Sequence, residues 1–507
     1  MNRILYLLGL IIILISGCSE DYLNTQPSDQ VSQEDMFSSL TNVKVAMNGV
    51  YRGLYRQYAD QEEDGHPAIM ICLDYMGEDV VHSAAGTTYF RSTYKWTNHR
   101  SAASDFTTFV YRFYYKTISD VNEILSGIDG VEGSDAEKNA IKGECLALRA
   151  WAHFQLVQCY GRRYNADEMP NDNPGVPIMT RVTTEPQPRA TVEEVYTQIN
   201  KDLDEAISYL AVAPSRPNKT HVDVSVARGF KARVALTMQN YEAAAQYARE
   251  ARPGYGLMSN ADYLSGFNSL VNSEWMWGAN QLADQLPAYG SFFAYMSGNF
   301  NSAHTRPNPK LINRKLWDPL PATDIRKKLW WDGTKADSVN FPGVILASTG
   351  QADRSQIRYK YMHRKYMVKD PSVSVGDIPF MRVAEMYLIE AEALARLGRT
   401  TDAWEALRPM AVNRDPAIAS KITITASEVM LQRRVELWGE GFRFLDLKRN
   451  NEALDRTGTT IVERPTLSSL ATVLTIPIPE NDVRWQFLLP RREMETNPGL
   501  VQNPLTN

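Results

Sequence analysis

The sequence predicts an all-α, mainly helical protein: tetratricopeptide-like helical hairpins forming a right-handed solenoid scaffold, with long irregular insertions that pack as a second, ligand-binding region. Three observations predict it. Apolar residues recur at helical spacing in many separate windows. Several windows come in pairs joined by tight connections, and Ala and Gly alternate with bulky side chains there, so two helices can approach closely. Between the pairs run long stretches with no such period. The 507 residues are 44% hydrophobic, 22% charged and 10% aromatic, a globular composition that excludes a disordered or fibrous chain.

From the N-terminus, residues 1–17 read as a leader. Arg3 precedes an apolar run from Ile4 to Ile15, which as helix reaches only about 18 Å, short of the ~30 Å hydrocarbon core of a bilayer. The run is therefore the core of a signal peptide rather than a membrane span. It ends in Leu14-Ile15-Ser16-Gly17-Cys18, which resembles a bacterial lipobox and predicts acylation of Cys18. A diacylglycerol thioether plus an N-acyl chain exceeds the two lipid signals that stable anchoring takes. No cofactor beyond that covalent lipid is expected. Residues 18–31 are polar, acidic and aperiodic and read as a tether; residues 32–507 read as a single domain.

Helices follow. Val43, Ala46, Met47, Val50 and Leu54 share one face of a helix over about 39–58, and Ile141, Cys145, Leu148, Ala152, Leu156 and Cys159 do so over about 136–160. The same period predicts helices at about 105–127, 191–211, 222–238, 240–252, 379–397, 400–413 and 426–440. The pairs at 222–252 and 379–413 carry the tight turns, the latter at Leu397-Gly398. Residues 60–104, 161–190, 253–378 and 451–507 are left as excursions from this scaffold.

Charge and cysteine content narrow the function. Fifty-four Lys plus Arg against fifty-nine Asp plus Glu give a net charge of -5, without the basic surface that phosphate-backbone binding requires, so no nucleic acid partner is expected. Beyond Cys18 only Cys72, Cys145 and Cys159 remain, an odd number without a CxxC, and Cys145 and Cys159 stand about 21 Å apart along one helix. They read as small buried apolar side chains.

Four segments carry a resemblance. Ala147-Leu148-Arg149-Ala150-Trp151-Ala152-His153-Phe154 with Tyr160-Gly161, then Ile378-Pro379-Phe380-Met381-Arg382-Val383-Ala384-Glu385 continuing to Glu390-Ala391-Glu392-Ala393, are the first two. Glu436-Leu437-Trp438-Gly439-Glu440-Gly441-Phe442-Arg443-Phe444-Leu445-Asp446-Leu447-Lys448-Arg449 and the tail, Ile476-Pro477-Ile478-Pro479-Glu480 with Asn497-Pro498-Gly499, are the others. Together they resemble the SusD/RagB family of outer-membrane nutrient-binding lipoproteins, over nearly all of the chain after Cys18. Gln432 stands where that family usually has Glu, which removes an expected ion pair, and the tail lacks the family's usual Gly-Tyr after Asn-Pro.

Glu436, Glu440, Arg443, Asp446 and Arg449 sit at helix-neighbour spacings around a Gly turn. They read as a paired structural network rather than an acid/base site, as do Arg382, Glu385 and Glu392. No HExxH, GxSxG, Walker or complete dinucleotide motif occurs in the sequence, so no catalytic and no metal residue is assigned. His153 reads as a satisfied core residue. Asp167, Asn171, Asp172 and Asn173 offer oxygens to Ca²⁺, but their Pro and Gly neighbours read equally as turn chemistry.

Aromatic placement points to a ligand. Residues 255–345 hold five of the ten Trp, and Tyr89, Phe90, Tyr94 and Trp96 cluster in the first excursion. Sugar rings stack their C–H faces on such side chains while their hydroxyls bond amides and charged groups. Trp275 and Trp277 alternate in a strand-like segment and read as core; Trp96, Tyr295, Trp317, Trp330 and Trp331 are the candidate ligand-binding residues. Three rings covering about 100 Å² each return about 7 kcal/mol gross, largely offset by an association cost of 4 kcal/mol or more, so binding is expected to be micromolar or weaker. The resemblance implies a non-catalytic, lipid-anchored outer-membrane protein on the cell exterior. It would capture an oligosaccharide and pass it to a TonB-dependent, SusC-like transporter. A peptide-binding member of the same family and a lipid-anchored glycan hydrolase are the alternatives.

Overall fold

The computed structural model describes residues 33–82, 89–286, 290–300, 309–334, 336–337, 360–457 and 477–506. The leader, Cys18 and the tether lie outside the described residues. Eleven helices carry the framework: α1 Leu40–Gly53, α2 Gly65–Tyr75, α3 Asp105–Gly127, α4 Asp135–Tyr160, α5 Val192–Leu210, α6 Val224–Thr237, α7 Tyr241–Ala251, α8 Val383–Arg396, α9 Thr400–Arg414, α10 Ala426–Glu436 and α11 Arg443–Arg449. Polar caps start most of the long ones. Ser104 accepts from Thr107 N at α3, Asp223 from Val226 N at α6, and Thr191 with Glu194 and Thr425 with Glu428 form capping boxes at α5 and α10.

From α3 to α9 each helix packs on its successor, and α8 also packs on α10. Two kinds of contact hold the row. Small residues let backbones close in: a Cβ on Gly143 of α4 would meet Leu210 Cγ of α5 at 2.7 Å. Forked ion pairs bridge neighbours: Arg149 of α4 grips Asp202 of α5 at 2.7 and 2.8 Å while reaching Asn122 of α3 at 2.9 Å, and Arg233 of α6 grips Glu385 of α8 at 2.6 and 2.7 Å. Residues 252–382 separate α7 from α8 in sequence, yet the two helices lie side by side. The excursion therefore leaves and re-enters the helical row without interrupting it.

Two short antiparallel sheets organise the excursions. β1 Val80–His82 pairs with β3 Lys310–Ile312, and β2 Trp275–Ala279 pairs with β4 Ile378–Arg382, Trp275 facing Arg382 and Ala279 facing Ile378. The β1/β3 pair is extended by backbone bonds from Ile312 N to Tyr361 O and from Trp331 N to Met362 O, so four chain segments form one irregular ribbon.

The structure departs from the periodicity in three places. Residues 379–382, read as the start of a helix, are strand, because Pro379 lacks an N–H and the segment is pulled onto β2. The helix expected to 440 ends at Glu436: Gly439 and Gly441 adopt φ of 79° and 85°, and the chain turns into α11. Helix α2 lies inside a stretch read as irregular. All of its residues are buried, so it has no polar face and no period to detect.

Candidate functional site

The turn between α10 and α11 concentrates charge. Arg382 reaches Glu436 at 3.1 Å, Glu440 at 2.6 Å and Glu274 in a closer contact; Arg414 reaches Glu274 at 2.8 Å and Glu436 at 3.1 Å. Arg326 is paired with Asp324 at 2.7 Å and Lys365 with Glu440 at 2.6 Å. Four cations thus face four carboxylates, every side chain at most 4% exposed. Burial opposes the charge on Glu436 and Glu440, but the guanidiniums of Arg382 and its neighbours override it and hold both carboxyls below the usual Glu range. Farther along, Asp446 sits at 2.8 Å from both Arg433 and Arg449, Arg449 at 2.7 Å from Glu392, and Arg443 at 2.6 Å from Glu78. Each predicted member is engaged with an opposite charge in a closed network. A carboxylate so held has no free proton to exchange with a substrate.

Other buried polar groups are engaged in the same way. His153 Nδ1 lies 3.0 Å from Arg149 O, its Nε2 accepts from Met179 N at 3.2 Å, and burial holds its pKa down near 4, so it is a neutral core residue. Asn171 accepts from Asn165 N at 2.8 Å and donates to Glu193 at 3.2 Å, the turn chemistry of that loop. Cys72, Cys145 and Cys159 are free and buried. Gln432 still accepts from Arg326 Nη2 at 2.6 Å, so the position keeps its contact as a hydrogen bond. One cluster had no sequence signal: Glu144 of α4 accepts from the Tyr51 hydroxyl and sits 2.9 Å from His221 Nδ1. Its three members lie 93 and 77 positions apart in the chain, beyond any local pattern.

The candidate aromatic residues fall into separate groups. Trp96 is core: Nε1 donates to Met76 O at 2.8 Å and the ring packs edge-on against Trp485 at 4.9 Å and near Phe444 at 5.7 Å. Trp330 is 0% exposed and packs edge-on against Trp438 at 5.5 Å. Both rings are covered by other side chains, which takes these two residues out of the reach of a ligand. Trp275 and Trp277 are core as expected. Trp317 is buried beneath Lys327, whose Nζ lies 4.6 Å from the ring, and beside Tyr361 at 5.3 Å. Tyr295 is buried too, its hydroxyl donating to Gln61 O at 3.1 Å.

Two further rings are half-buried. Tyr89 packs 5.5 Å from Tyr295 and donates its hydroxyl to the Gln61 side chain; Trp331 donates Nε1 to Thr334 O at 3.0 Å. The 60–64 loop fixes the first: Glu62 accepts from Phe90 N at 2.7 Å and Asp64 from Phe292 N at 2.9 Å. Burial raises the Glu62 carboxyl to about 7 against the pull of that Phe90 bond. The backbone ribbon fixes the second, since Trp331 O accepts from Tyr361 N at 2.8 Å. Of the predicted residues, Trp317, Trp330 and Trp331 share this ribbon region, whereas Trp96 and Tyr295 stand elsewhere. Tyr89, not singled out beforehand as a site residue, is the ring left partly exposed on Tyr295.

A helical row whose irregular excursions present rings set in polar loops is the architecture of a binding protein. The family described as "Starch-binding associating with outer membrane" matches residues 21–236, and the SusD family matches residues 332–505. The chain belongs to the SusD/RagB family. It is 24% identical over 494 residues to SusD-like protein P38 of Formosa agariphila, covering 88% of this chain and 90% of that protein. A SusD-like carbohydrate binding protein from Bacteroides vulgatus superposes with a TM-score of 0.77 at 27% identity, over 92% of this chain and 98% of its own. A laminarin binding SusD-like protein shares the fold at 19% identity and a TM-score of 0.69, over 92% of this chain and 100% of its own. No helix among the described residues is long and apolar enough to cross a membrane.

Proposed function

We propose that the protein is tethered to the outer membrane by lipid on Cys18, faces the cell exterior, and binds an oligosaccharide that it hands to a SusC-like TonB-dependent transporter. The match of residues 21–236 and 332–505 to the SusD/RagB family carries the reading. The leader and lipobox of residues 1–18 supply the anchor, and the half-buried rings of Tyr89 and Trp331, each locked by hydrogen bonds, supply preformed stacking surfaces. Such a ring costs little conformational entropy to occupy, and two or three of them give the weak hold that a protein passing its cargo onward needs.

Two experiments test it. Cys18→Ala is expected to release the protein from the membrane fraction of the native host, and retention there would overturn the lipid anchor. Calorimetry against a glycan panel that includes laminarin and starch oligosaccharides, with a peptide panel alongside, is expected to show heat with a glycan only. Heat from peptides alone would replace the carbohydrate reading with its nearest rival.

A further inference from the structure

A cleft of about 190 Å³ opens at the other end of α4, where Gly161 ends that helix and α11 and residues 481–486 close the walls. It is lined by Arg162, Arg163, Asn173, Lys448, Glu452 and Trp485 among others. Trp485, 5% exposed, and Leu447 belong to its apolar lining, and the indole is held in place with Nε1 bonded to Pro479 O at 2.8 Å and the ring packed on Trp96 and Phe444. Trp96, a predicted ligand residue that proves to be core, thus buttresses a ring that lines a cavity.

The charges in this cleft are not equally committed. Lys448 donates to Gln158 O at 2.6 Å and Gly161 O at 2.8 Å, Asp482 binds Arg484 at 2.6 Å, and Glu452 accepts from Arg443 at 3.3 Å. Among the described residues, the side chains of Arg162, Arg163, Glu168 and Asn173 have no hydrogen-bond partner, and Arg163 Nε is shut off from solvent without one. Two uncommitted guanidiniums therefore stand against the exposed Glu168 carboxylate and the partly exposed Glu452, in a space that is also lined by amide side chains and an indole. Guanidinium is the side-chain group best matched to a carboxylate, which it can grip with two parallel N–H bonds. The volume lies below the ~300–1,000 Å³ of sites that enclose a drug-sized ligand, so it suits one ring rather than a chain.

We propose that this cleft is a second glycan-contacting site, which takes a single anionic sugar residue, a uronate, with its carboxylate on Arg162 and Arg163 and the buried Trp485 at the wall of the cleft. The proposal rests on the reading that the protein holds glycans, and it adds selectivity for acidic residues that the aromatic surfaces cannot supply.

The test uses the mature full-length protein at constant ionic strength, with D-glucuronate, D-glucose and acetate as probes and the Trp485 indole N–H resonance, assigned through Trp485→Phe, as the local reporter. D-glucuronate is expected to shift that resonance at concentrations at least tenfold below those D-glucose or acetate require, and R162A/R163A to weaken it at least tenfold. A double variant that binds like the parent, equal responses to D-glucuronate and D-glucose, equal responses to D-glucuronate and acetate, or no response to any probe would each overturn the site. Failure here is separable from failure of the aromatic surfaces: a parent protein that binds a neutral oligosaccharide, and loses it in Tyr89→Ala and Trp331→Ala, yet shows no preference for D-glucuronate at Trp485, loses only this cleft.

Discussion

The charged turn of residues 436–449 and the aromatic excursion of residues 290–331 stand out most in the sequence, and both turned inward in different ways. The turn buries its ions because all but Lys448, which donates to two backbone carbonyls, meet an opposite charge; around Glu436 and Glu440 four cations face four carboxylates. The excursion buries its rings against aromatic side chains beyond it, Trp330 on Trp438 of the turn and Trp317 on Tyr361, and among its described residues only the Trp331 ring is partly open, while Tyr89 is partly open beside Tyr295. A dense run of one chemistry therefore marks a core as readily as a site. What distinguishes the two is a side chain left with an open face.

The strongest way to break this contrast is Arg382→Ala. Removing the guanidinium leaves Glu274, Glu436 and Glu440 short of a partner in the interior, an expected loss of about 3–5 kcal/mol in a denaturant titration. A loss under about 1 kcal/mol would mean the network is ornamental. The network also sets the acid limb of stability. Glu436, Glu440 and Asp446 are held below their unfolded values of 4.5 for Glu and 3.8 for Asp, where the unfolded chain takes up protons before the native one does. Their contribution is therefore complete above those values and is lost as pH falls through the lowered native ones. Denaturant midpoints measured from pH 7 to pH 3 should fall steeply in the parent and less steeply in Arg382→Ala.

On the aromatic side, Trp330→Ala should cost about 3–5 kcal/mol, as expected for a large ring removed from a packed core, with no specific effect on ligand affinity once folded protein is compared. Trp331→Ala and Tyr89→Ala sharpen the contrast from the other direction. Each should cost only about 1–2 kcal/mol of stability while weakening oligosaccharide binding about tenfold, equivalent to about 1.4 kcal/mol of lost stacking. If Trp330→Ala weakened binding and Trp331→Ala did not, the assignment of open and closed rings would be reversed. The smallest effect belongs to Gln432→Glu. A carboxylate there would face Arg326, which already pairs with Asp324 and reaches Glu436 at 3.6 Å, so the gain in pairing is offset by burial and the unfolding free energy should move by less than about 1 kcal/mol.

Much of the scaffold was legible. The helices at 105–127, 191–211 and 240–252 appear within a residue or two of the periodic windows because each has one buried and one wet face, and those at 136–160 and 222–238, buried along most of their length, match as closely through long Pro-free runs of helix-forming residues. Helix α2 was not, since burial on all sides erases the pattern; nor was the strand at Ile378–Arg382, which exists because a distant segment pairs with it. The candidate site was legible only as a region. Trp96, Tyr295, Trp317, Trp330 and Trp331 could not be sorted by sequence because exposure belongs to neighbours far along the chain: Trp485 for Trp96, Trp438 for Trp330, Gln61 for Tyr295.

By itself, then, the sequence determined the helical class, the concentration of opposite charges around the Gly439–Gly441 turn and the family, all of which follow from local spacing and residue type. The tertiary structure alone decided which rings keep an open face, that Tyr89 is one of them, and that Arg162 and Arg163 share a cleft with Trp485 from more than three hundred positions away. Local order fixes what a segment can form, while solvent exposure is a property of the whole packed chain.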